Sequence, residues 1–318
     1  MKVLKFGGGC LKDAEFIKKL PKILTNYNNE QVVIVISAFG KITNMLEQFK
    51  FQEVFDFVGS IMDELGLSPD QKNTILYKPL SPSYFYNYSM ADFINQYEKI
   101  KLLQKGMILS YPSRVCIGEY LSSSIIYSYL TNQSIHSLLM DASLCVYTDA
   151  WIQDVHSASF KYCKLPVHFS PFYNTNGPLS DLEKLKNNVI ITQGFIARSN
   201  CDINKYTKSG SLPPHILPAQ RTTLGREGSD YSAAIFADMF NANELILFKD
   251  VDGVYSSDPK KDNNATFFSS LSYQEAFDLC EGGNMIIHPK TMCILEKANI
   301  PIRIKNFNKL NALGTLIS

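Results

Sequence analysis

The sequence predicts an α/β fold with a mainly parallel sheet, because strand-like and helix-like segments alternate along the chain. The first 37 residues already contain a strand, a helix and a second strand in that order, which is the pattern of a βαβ unit. With 318 residues, 45% of them hydrophobic, the chain is large enough for one domain or for two lobes around a shared core.

Two N-terminal strands flank the first predicted helix. Residues 1–6 read as a short buried strand, and residues 31–37 are a nearly continuous β-branched run, typical of a strand covered on both faces. Apolar residues at helical spacing in residues 13–25 predict the helix between them, in which Pro21 is expected to cause a kink. The two strands should therefore be parallel neighbours joined by a right-handed crossover.

The remaining segments continue the alternation of helices and strands. Further helices are predicted in residues 112–130, 231–240 and 273–280, and further strands in residues 137–140, 188–192, 244–248 and 302–305. Residues 51–105 are expected to be a mostly helical insert interrupted by prolines. Residues 201–218, which contain three prolines, are expected to form a hairpin or a flap.

Composition and charge exclude several classes of protein. Lys and Arg total 31 while Asp and Glu total 30, so no general positive charge is available to hold nucleic acid or an anionic membrane. Seven cysteines without a CxxC pair are explained most simply as free thiols in a reducing cytoplasm. The N-terminus does not read as a signal peptide, and no segment approaches the roughly 20 apolar residues of a membrane span. We therefore expect a cytoplasmic protein that binds neither nucleic acid nor membranes.

A lysine and three glycines after the first strand, Lys5, Gly7, Gly8 and Gly9, form a candidate phosphate site. Glycine lets the backbone approach a ligand closely, backbone amides can hold phosphate oxygens, and a lysine can neutralise a phosphoryl group in transfer. The pattern matches neither the P-loop nor the dinucleotide-binding fingerprint. An ordinary turn between a strand and a helix is the alternative for this segment.

Two further polar positions could contact an amino-acid substrate. Thr43 follows the second strand, where hydroxyls and amides could hold a carboxylate, although helix capping by Thr43 or Asn44 is the favoured interpretation of that segment alone. Glu119 lies beside Gly118 in an otherwise apolar helix, where a buried carboxylate needs a partner such as a substrate ammonium. Taken in isolation, Glu119 is more simply a solvent-exposed residue on a helix face.

Residues 222–260 are the most informative part of the chain, because two polar loops flank one helix and one strand. In the first loop, Arg226 suits a bidentate grip on a carboxylate, and Ser229 can donate to the same group. Asp230 could orient Lys5 or the attacking oxygen. The second loop carries the candidate nucleotide-binding residues Lys249, Asp250, Tyr255, Asp258 and Lys260. The Tyr255 ring could pack on a base, and a solvated acidic turn is the alternative for this loop.

These motifs, in this order, resemble the aspartokinases, a group within the amino acid kinase family. The resemblance covers essentially the whole chain and is least in residues 51–105. Its segments include KFGG from Lys5, ISAFGKITNML from Ile36, GEYLSS from Gly118, VIITQGFI from Val189, TTLGREGSDYSAA from Thr222, DVDGVYSSDP from Asp250 and IIHPKT from Ile286. The combination of the segments at Thr222 and Asp250 is highly specific.

The resemblance implies a three-layer αβα sandwich with a mainly parallel central sheet, forming a single catalytic domain over residues 1–318. It implies an N-terminal lobe of about residues 1–200 for the amino-acid substrate and a C-terminal lobe of about residues 201–318 for the nucleotide. The implied reaction moves the γ-phosphoryl group of ATP onto the β-carboxylate of L-aspartate, giving 4-phospho-L-aspartate, the first step towards lysine, threonine and methionine. A kinase for another amino acid or specialised metabolite, or a catalytically weak sensor of aspartate or nucleotide, are the alternatives.

The same resemblance implies a role for each candidate residue. Lys5 would meet the transferring phosphoryl group, and Asp230 would orient that lysine. Aspartate would be held by Thr43, Glu119, Arg226 and Ser229, and the nucleotide by Lys5, Gly7, Gly8, Gly9, Lys249, Asp250, Tyr255, Asp258 and Lys260. Mg²⁺ would be held mainly by the phosphates of ATP rather than by protein ligands. A homodimer is expected from the resemblance alone.

Several positions depart from the aspartokinase pattern. Gly9 and Cys10 replace two hydroxyl residues, and Glu227 replaces a glycine. Lys249 replaces a threonine, and Met285 stands where the pattern has a nucleotide-site lysine, so Lys249 could supply the cation that is lost. The chain also lacks the ACT domains that follow in most relatives, which implies that feedback inhibition through such domains is missing; a shortened chain is the alternative.

Overall fold

The computed structural model describes residues 1–77, 111–148, 189–199, 221–225, 228–257, 259, 261–282 and 287–318. The strands in these ranges are β1 (Lys2–Phe6), β2 (Val32–Ile36), β3 (Ser137–Met140), β4 (Tyr147–Thr148), β5 (Val189–Gln193), β6 (Ile196–Ser199), β7 (Arg221–Thr223), β8 (Glu244–Lys249), β9 (Val254–Tyr255), β10 (Phe267–Phe268), β11 (Ser270–Leu271), β12 (Ile302–Asn306) and β13 (Thr315–Ile317). The helices are α1 (Ala14–Ile17), α2 (Leu20–Thr25), α3 (Ile42–Glu47), α4 (Phe51–Glu64), α5 (Pro69–Tyr77), α6 (Tyr111–Val115), α7 (Ile117–Asn132), α8 (Gly228–Met239), α9 (Tyr273–Glu281) and α10 (Pro289–Ala298).

One sheet of eight strands organises these elements, in the order β11-β13-β12-β8-β1-β2-β5-β3. The six strands from β12 to β3 are all parallel to their neighbours, whereas β13 runs antiparallel to β12. Two small sheets, β4-β6-β7 and β9-β10, lie outside it. The predicted α/β fold with a mainly parallel central sheet is therefore confirmed.

Helices cover both faces of the large sheet, which gives three layers. Leu4 and Phe6 of β1 belong to an apolar cluster that includes residues of α1–α5 and α7. Val3, on the opposite face of the same strand, belongs to a second cluster that includes residues of α8, α9 and α10. Because successive side chains of a strand point to opposite faces, Lys5 shares the face of Val3 and points towards the layer that contains α8.

Most predicted elements are present, although several end at different residues. The helix predicted for residues 13–25 is divided into α1 and α2 just before Pro21, as the predicted kink requires, and the helix predicted for residues 112–130 is also two helices, α6 and α7. Helix α8 begins at Gly228 rather than at residue 231, which places Asp230 in its first turn. Helices α4 and α5 confirm the helical insert up to residue 77. The rest of that insert and the predicted hairpin or flap at 201–218 lie outside the described residues.

Candidate active site

The carboxyl ends of β1, β2, β5 and β8 lie along one edge of the sheet, because these strands are parallel neighbours. Ligands of open α/β sheets bind at this edge, where the loops after the strands diverge. The glycine loop follows β1, residues 37–40 follow β2, and Lys249 is the last residue of β8. The topology thus brings together segments that are more than 200 residues apart in the sequence.

The centre of this edge is a buried carboxylate that is held by two lysines. Lys5 Nζ forms a short ion pair with Asp230 Oδ1, and Lys249 Nζ lies 3.0 Å from Asp230 Oδ2. The exposed fraction of the side chain is 1% for Asp230, 10% for Lys5 and 21% for Lys249. The exposed fraction therefore increases from Asp230 in the protein interior, through Lys5, to Lys249 at the open edge of the sheet.

The strand register explains why the two lysines meet one carboxylate. Lys5 of β1 lies opposite Leu247 of β8, and Lys249 is two residues further along β8, so both lysines point to the α8 side of the sheet. Asp230 stands in the first turn of α8, where the helix dipole favours a negative charge. Burial by itself raises the pKa of the Asp230 carboxyl, but the attraction of the two lysines outweighs burial and lowers this pKa to about 2. The carboxylate is therefore ionised at neutral pH.

The glycine loop passes directly over the Lys5 ammonium. A Cβ atom added to Gly7 would lie 3.2 Å from Lys5 Nζ, and one added to Gly8 would lie 3.1 Å from the carbonyl oxygens of Ala38 and Gly40. The loop therefore packs against both the lysine and the segment after β2, and glycine at these two positions lets it do so. Gly9 has open space at its Cβ position, so packing within the protein does not require glycine there.

Cys10, one of the departures from the aspartokinase pattern, is part of the packing beneath this loop. Its Sγ donates a hydrogen bond to the Phe248 carbonyl oxygen at 3.1 Å, and only 1% of the residue is exposed. Burial raises the pKa of the Cys10 thiol to about 12. The thiol is therefore protonated at neutral pH and ties the start of the chain to β8 rather than acting as a nucleophile.

Glu119 is buried at the start of α7, beneath the segment that follows β2. Its Oε1 accepts a hydrogen bond of 3.4 Å from the Ala38 amide, and its Oε2 has no hydrogen-bond partner among the described residues. Burial raises the pKa of the Glu119 carboxyl to about 8, an effect that the hydrogen bond from Ala38 partly opposes. The interpretation of Glu119 as a solvated helix residue is wrong, because only 3% of it is exposed. An unsatisfied buried carboxyl oxygen is a potential acceptor for a cationic ligand.

The close approach of α7 to this segment depends on Gly118. A Cβ atom at Gly118 would lie 2.9 Å from side-chain carbons of both Ala38 and Ile42. Ser122, one turn further along α7, accepts a hydrogen bond of 2.9 Å from the Phe39 amide. The sequence GEYLSS therefore combines a contact point, a buried carboxyl and a hydroxyl that fixes the backbone after β2.

Ser229 lies against the turn that follows β5. A Cβ atom added to Gly194 would be 2.7 Å from the Ser229 Cβ atom, and the Phe195 amide donates to Ser232 Oγ at 2.8 Å. Ser229 itself is half-buried. The first turn of α8 is therefore fixed between β5 and β1, with Ser229 on one side and Asp230 on the other.

The second polar loop is also fixed to the edge of the sheet. Asp252 accepts hydrogen bonds of 2.7 Å from Asn306 Nδ2 at the end of β12 and from Lys309 Nζ. Asp250 is exposed, and the Tyr255 ring packs edge-on against Phe267 with 5.4 Å between ring centroids. The loop is thus partly tied down by side-chain hydrogen bonds, in contrast to a freely solvated acidic turn.

The structure does not bring every predicted residue to this centre. Thr43 is half-buried in the first turn of α3, whose N-cap is Lys41 without a side-chain hydrogen bond, so the capping interpretation of Thr43 or Asn44 is wrong. Three candidates, Arg226, Asp258 and Lys260, lie outside the described residues, as does Met285.

Sequence reasoning missed one polar residue that organises the edge. The side-chain amide of Gln193, the last residue of β5, donates to Ser123 Oγ at 2.8 Å and accepts from the Ala142 amide at 2.9 Å. The sequence did contain a sign of this role, since Gln193 directly follows a run of β-branched residues that is expected to be buried. A buried side-chain amide needs hydrogen-bond partners. The hydrogen bond between Asp252 and Asn306 was not predicted either, since the two residues are 54 positions apart.

Neither a metal cluster nor a membrane helix is found in the part of the chain that the structure describes. No group of three or more His, Cys, Asp or Glu side chains there has an arrangement that could hold a metal ion. The described helices are also too short or too polar to span a bilayer.

Comparison with known proteins places this arrangement in one family. The family model described as "Amino acid kinase family" matches residues 1–306. A bifunctional aspartokinase/homoserine dehydrogenase of Buchnera aphidicola is 29% identical over 327 residues, which cover 100% of this chain and 36% of that protein. The chloroplastic aspartokinase 1 of Arabidopsis thaliana is 27% identical over 99% of this chain and 52% of its own length. The chain thus spans between about a third and a half of the length of these relatives.

Similarity to solved structures supports the same assignment of the fold. The structure of E. coli aspartokinase III in complex with aspartate and ADP superposes with a TM-score of 0.73 at 22% identity, covering 100% of this chain and 64% of that one. An identity this low speaks for the fold alone. The family match over residues 1–306 shows that the chain belongs to the amino acid kinase family.

Proposed function

We propose that this chain is an aspartate kinase that transfers the γ-phosphoryl group of ATP to the β-carboxylate of L-aspartate. The convergence of Lys5 and Asp230 at the carboxyl edge of the sheet is the observation that carries the proposal. Relatives named aspartokinase match almost all of the chain, and the similar E. coli structure was solved with aspartate and ADP. The product, 4-phospho-L-aspartate, would open the route to lysine, threonine and methionine.

The proposed reaction is an in-line displacement at phosphorus. A β-carboxylate oxygen of aspartate attacks the γ-phosphorus of ATP, and the new O–P bond forms while the bond to the β–γ bridging oxygen breaks. ADP leaves with that electron pair, and no proton has to move because the carboxylate is already ionised at neutral pH. Lys5 would neutralise the negative charge on the phosphoryl group, and Asp230 would position the Lys5 ammonium beneath Gly7.

The amino-acid substrate would bind near Glu119. Its unpartnered Oε2 could accept from the ammonium of aspartate, and the ionised form of Glu119 would be stabilised by that contact. Thr43, Arg226 and Ser229 complete the proposed aspartate site, with Arg226 facing a carboxylate. This site would belong to an N-terminal lobe of about residues 1–200.

The nucleotide would bind along the glycine loop and the second polar loop. We assign its phosphates to the backbone of Gly7, Gly8 and Gly9 and to Lys5, and its remaining contacts to residues of a C-terminal lobe of about 201–318, namely Lys249, Asp250, Tyr255, Asp258 and Lys260. Mg²⁺ would be held here mainly by phosphate oxygens of the nucleotide, because the Asp230 carboxylate is already paired with two lysines. The ion would neutralise phosphate charge during transfer.

A coupled assay for ADP release, run with a panel of acceptor acids, tests the proposal. Wild-type protein should turn over with L-aspartate, and hydroxylamine should trap the acyl phosphate as a hydroxamate. Lys5→Met should lower kcat by about 1,000-fold, since one charge-stabilising group is lost from the transition state. Lys18→Met, which removes an exposed lysine paired with Glu15, should leave kcat unchanged.

Two outcomes would contradict this function. Turnover with a different acid and none with aspartate would indicate a kinase for another acceptor. Binding of aspartate and MgADP without turnover of any acceptor would indicate a sensor rather than an enzyme.

A further inference from the structure

We propose that Lys249 is a second catalytic lysine, which contacts the transferring phosphoryl group from the β8 side while Lys5 contacts it from the β1 side. The inference rests on the proposed function and extends it, because it assigns a specific step to a residue at a position where the aspartokinase pattern has threonine.

The charge balance around Asp230 is the first reason. Lys5 alone would neutralise this buried carboxylate, yet Lys249 also lies 3.0 Å from it. Two ammonium groups therefore stand beside one carboxylate, at an edge of the sheet where phosphate would have to sit. Two ammonium groups attract a polyanion more strongly than one lysine paired with the same aspartate would.

The position of Lys249 in the sheet is the second reason. Lys5 lies beneath Gly7, whereas Lys249 stands two residues further along the neighbouring strand and is twice as exposed, at 21% against 10%. Lys249 is therefore the outer of two cations that share one positioning carboxylate.

The sequence supplies the third reason. The aspartokinase pattern has a lysine where this chain has Met285, and this chain has a lysine where the pattern has threonine. In the described structure the added lysine is bound to the same aspartate as Lys5. We infer that the second cation of the site comes from the end of β8 in this protein.

The step that Lys249 would assist is the transfer itself. As the aspartate oxygen bonds to the γ-phosphorus and the bridging oxygen departs with its electron pair, negative charge is spread over the phosphoryl oxygens and the leaving ADP. An ammonium at the end of β8 would stabilise this charge electrostatically, without any transfer of a proton from Lys249.

The alternative is that Lys249 only stabilises the buried Asp230 carboxylate. To separate the two roles, kcat, the KM values for ATP and aspartate, and the affinity for MgADP by calorimetry would be measured for the 318-residue chain and for Lys249→Met, Lys249→Thr and Lys249→Arg. Lys249→Thr restores the residue of the aspartokinase pattern and removes the charge. The unfolding temperature of each variant reports on stability, and Lys18→Met is the control for loss of a lysine elsewhere.

The catalytic role predicts that Lys249→Met and Lys249→Thr lower kcat by about 100-fold. The affinity for MgADP should fall less, by about tenfold at most, because ADP lacks the phosphoryl group that Lys249 contacts in the transition state. Lys249→Arg, which retains the charge, should keep a larger part of kcat than Lys249→Met. A non-hydrolysable ATP analogue with Mg²⁺, which retains the γ-phosphoryl group, should also protect Lys249 from an amine-acylating reagent in the wild-type protein. It should leave Lys18 unprotected, and this measurement needs no variant to fold.

The purely structural role predicts that the Lys249 variants have a lower unfolding temperature but unchanged kcat and unchanged affinity for MgADP. That result would overturn the inference. Turnover of aspartate in the same experiment would leave the proposed function intact. Absence of protection of Lys249 by the bound ATP analogue would also overturn it. If wild-type protein bound MgADP but phosphorylated no acceptor, the proposed function would fail, and the comparison of MgADP affinities would decide the role of Lys249 as a phosphate ligand.

Discussion

Glu119 is the residue for which sequence and structure differ most. Read alone, a glutamate in a helix is expected to face solvent, but α7 has no exposed face in its first turns, since all residues from Ile117 to Ile126 are buried. A charge in such a helix has to be buried, and this signal was present in the sequence. Lys5 and Asp230 were easier to identify, because each lies in a glycine-containing motif that resembles the aspartokinase pattern. Their mutual contact could not be derived without the strand order.

Replacing Glu119 by glutamine should stabilise the ligand-free protein at alkaline pH. Burial raises the pKa of Glu119 from 4.5 to about 8, so the folded protein retains a proton that the unfolded chain has already lost in this interval. The free energy of unfolding of the wild type should therefore fall, relative to Glu119→Gln, as the pH rises from about 4.5 to about 8. At pH 8 the variant should be more stable by on the order of 3 kcal/mol, measured by urea unfolding.

The same variant should bind aspartate more weakly, because a glutamine side chain offers no charge to the substrate ammonium. Glu15→Gln is the matched control, since Glu15 is 73% exposed and should show no difference of this kind. A stability difference that did not change between pH 5 and pH 8 would mean that Glu119 titrates normally in the folded state.

At the scale of helices and strands, the sequence predicted long and fully buried elements best. The buried strands β1, β2, β5 and β8 were each placed within about one residue of their ends, because mainly apolar runs between polar loops have few alternatives. The strands outside the large sheet have only two to four residues each, namely β4, β6, β7, β9 and β10. This is too few to show the alternation of apolar and polar residues that marks a strand in a sequence. Helix α8 was predicted to begin three residues too late, because a glycine at position 228 is typical of a loop. In the structure Gly228 is the first residue of the helix, and its lack of a side chain allows close packing against Phe195.

The contact between the turn after β5 and the first turn of α8 should be sensitive to a single methyl group. Gly194→Ala would place Cβ 2.7 Å from the Ser229 Cβ atom and 2.9 Å from its Cα atom, so the backbone of α8 would have to move. We expect a loss of about 1–3 kcal/mol in the free energy of unfolding. Because Asp230 follows Ser229, kcat/KM should also fall. Denaturant unfolding and steady-state kinetics would measure the two effects.

Gly59→Ala provides the matched control for this prediction. Gly59 lies within α4 and has no atom within 4 Å of its Cβ position, so alanine should stabilise the protein by about 0.5–1 kcal/mol through helix propensity. Equal stability changes in both variants would show that the contact with Ser229 has no effect of its own.

At the scale of the whole molecule, the central sheet joins the two proposed lobes. Strands β1, β2, β3 and β5 precede residue 201 and strands β8, β11, β12 and β13 follow it, and all belong to one sheet in which β1 pairs with β8. The contact between Lys5, Asp230 and Lys249 spans the same junction. Neither half can therefore keep its part of this site without the other, and the proposed division into lobes describes ligand binding rather than independent folding.

Thermal unfolding of the 318-residue chain should accordingly be one cooperative transition. The calorimetric and van't Hoff enthalpies should agree, because breaking the pairing of β1 with β8 exposes apolar clusters on both faces of the sheet at once. MgADP at about 100 times its dissociation constant should stabilise the whole transition by about 2.7 kcal/mol. The shift should be smaller in Lys5→Met at the same nucleotide concentration, since that variant lacks a phosphate ligand. Two resolved transitions, of which MgADP moved only one, would instead mean that the lobes unfold separately and that the continuous sheet does not couple them.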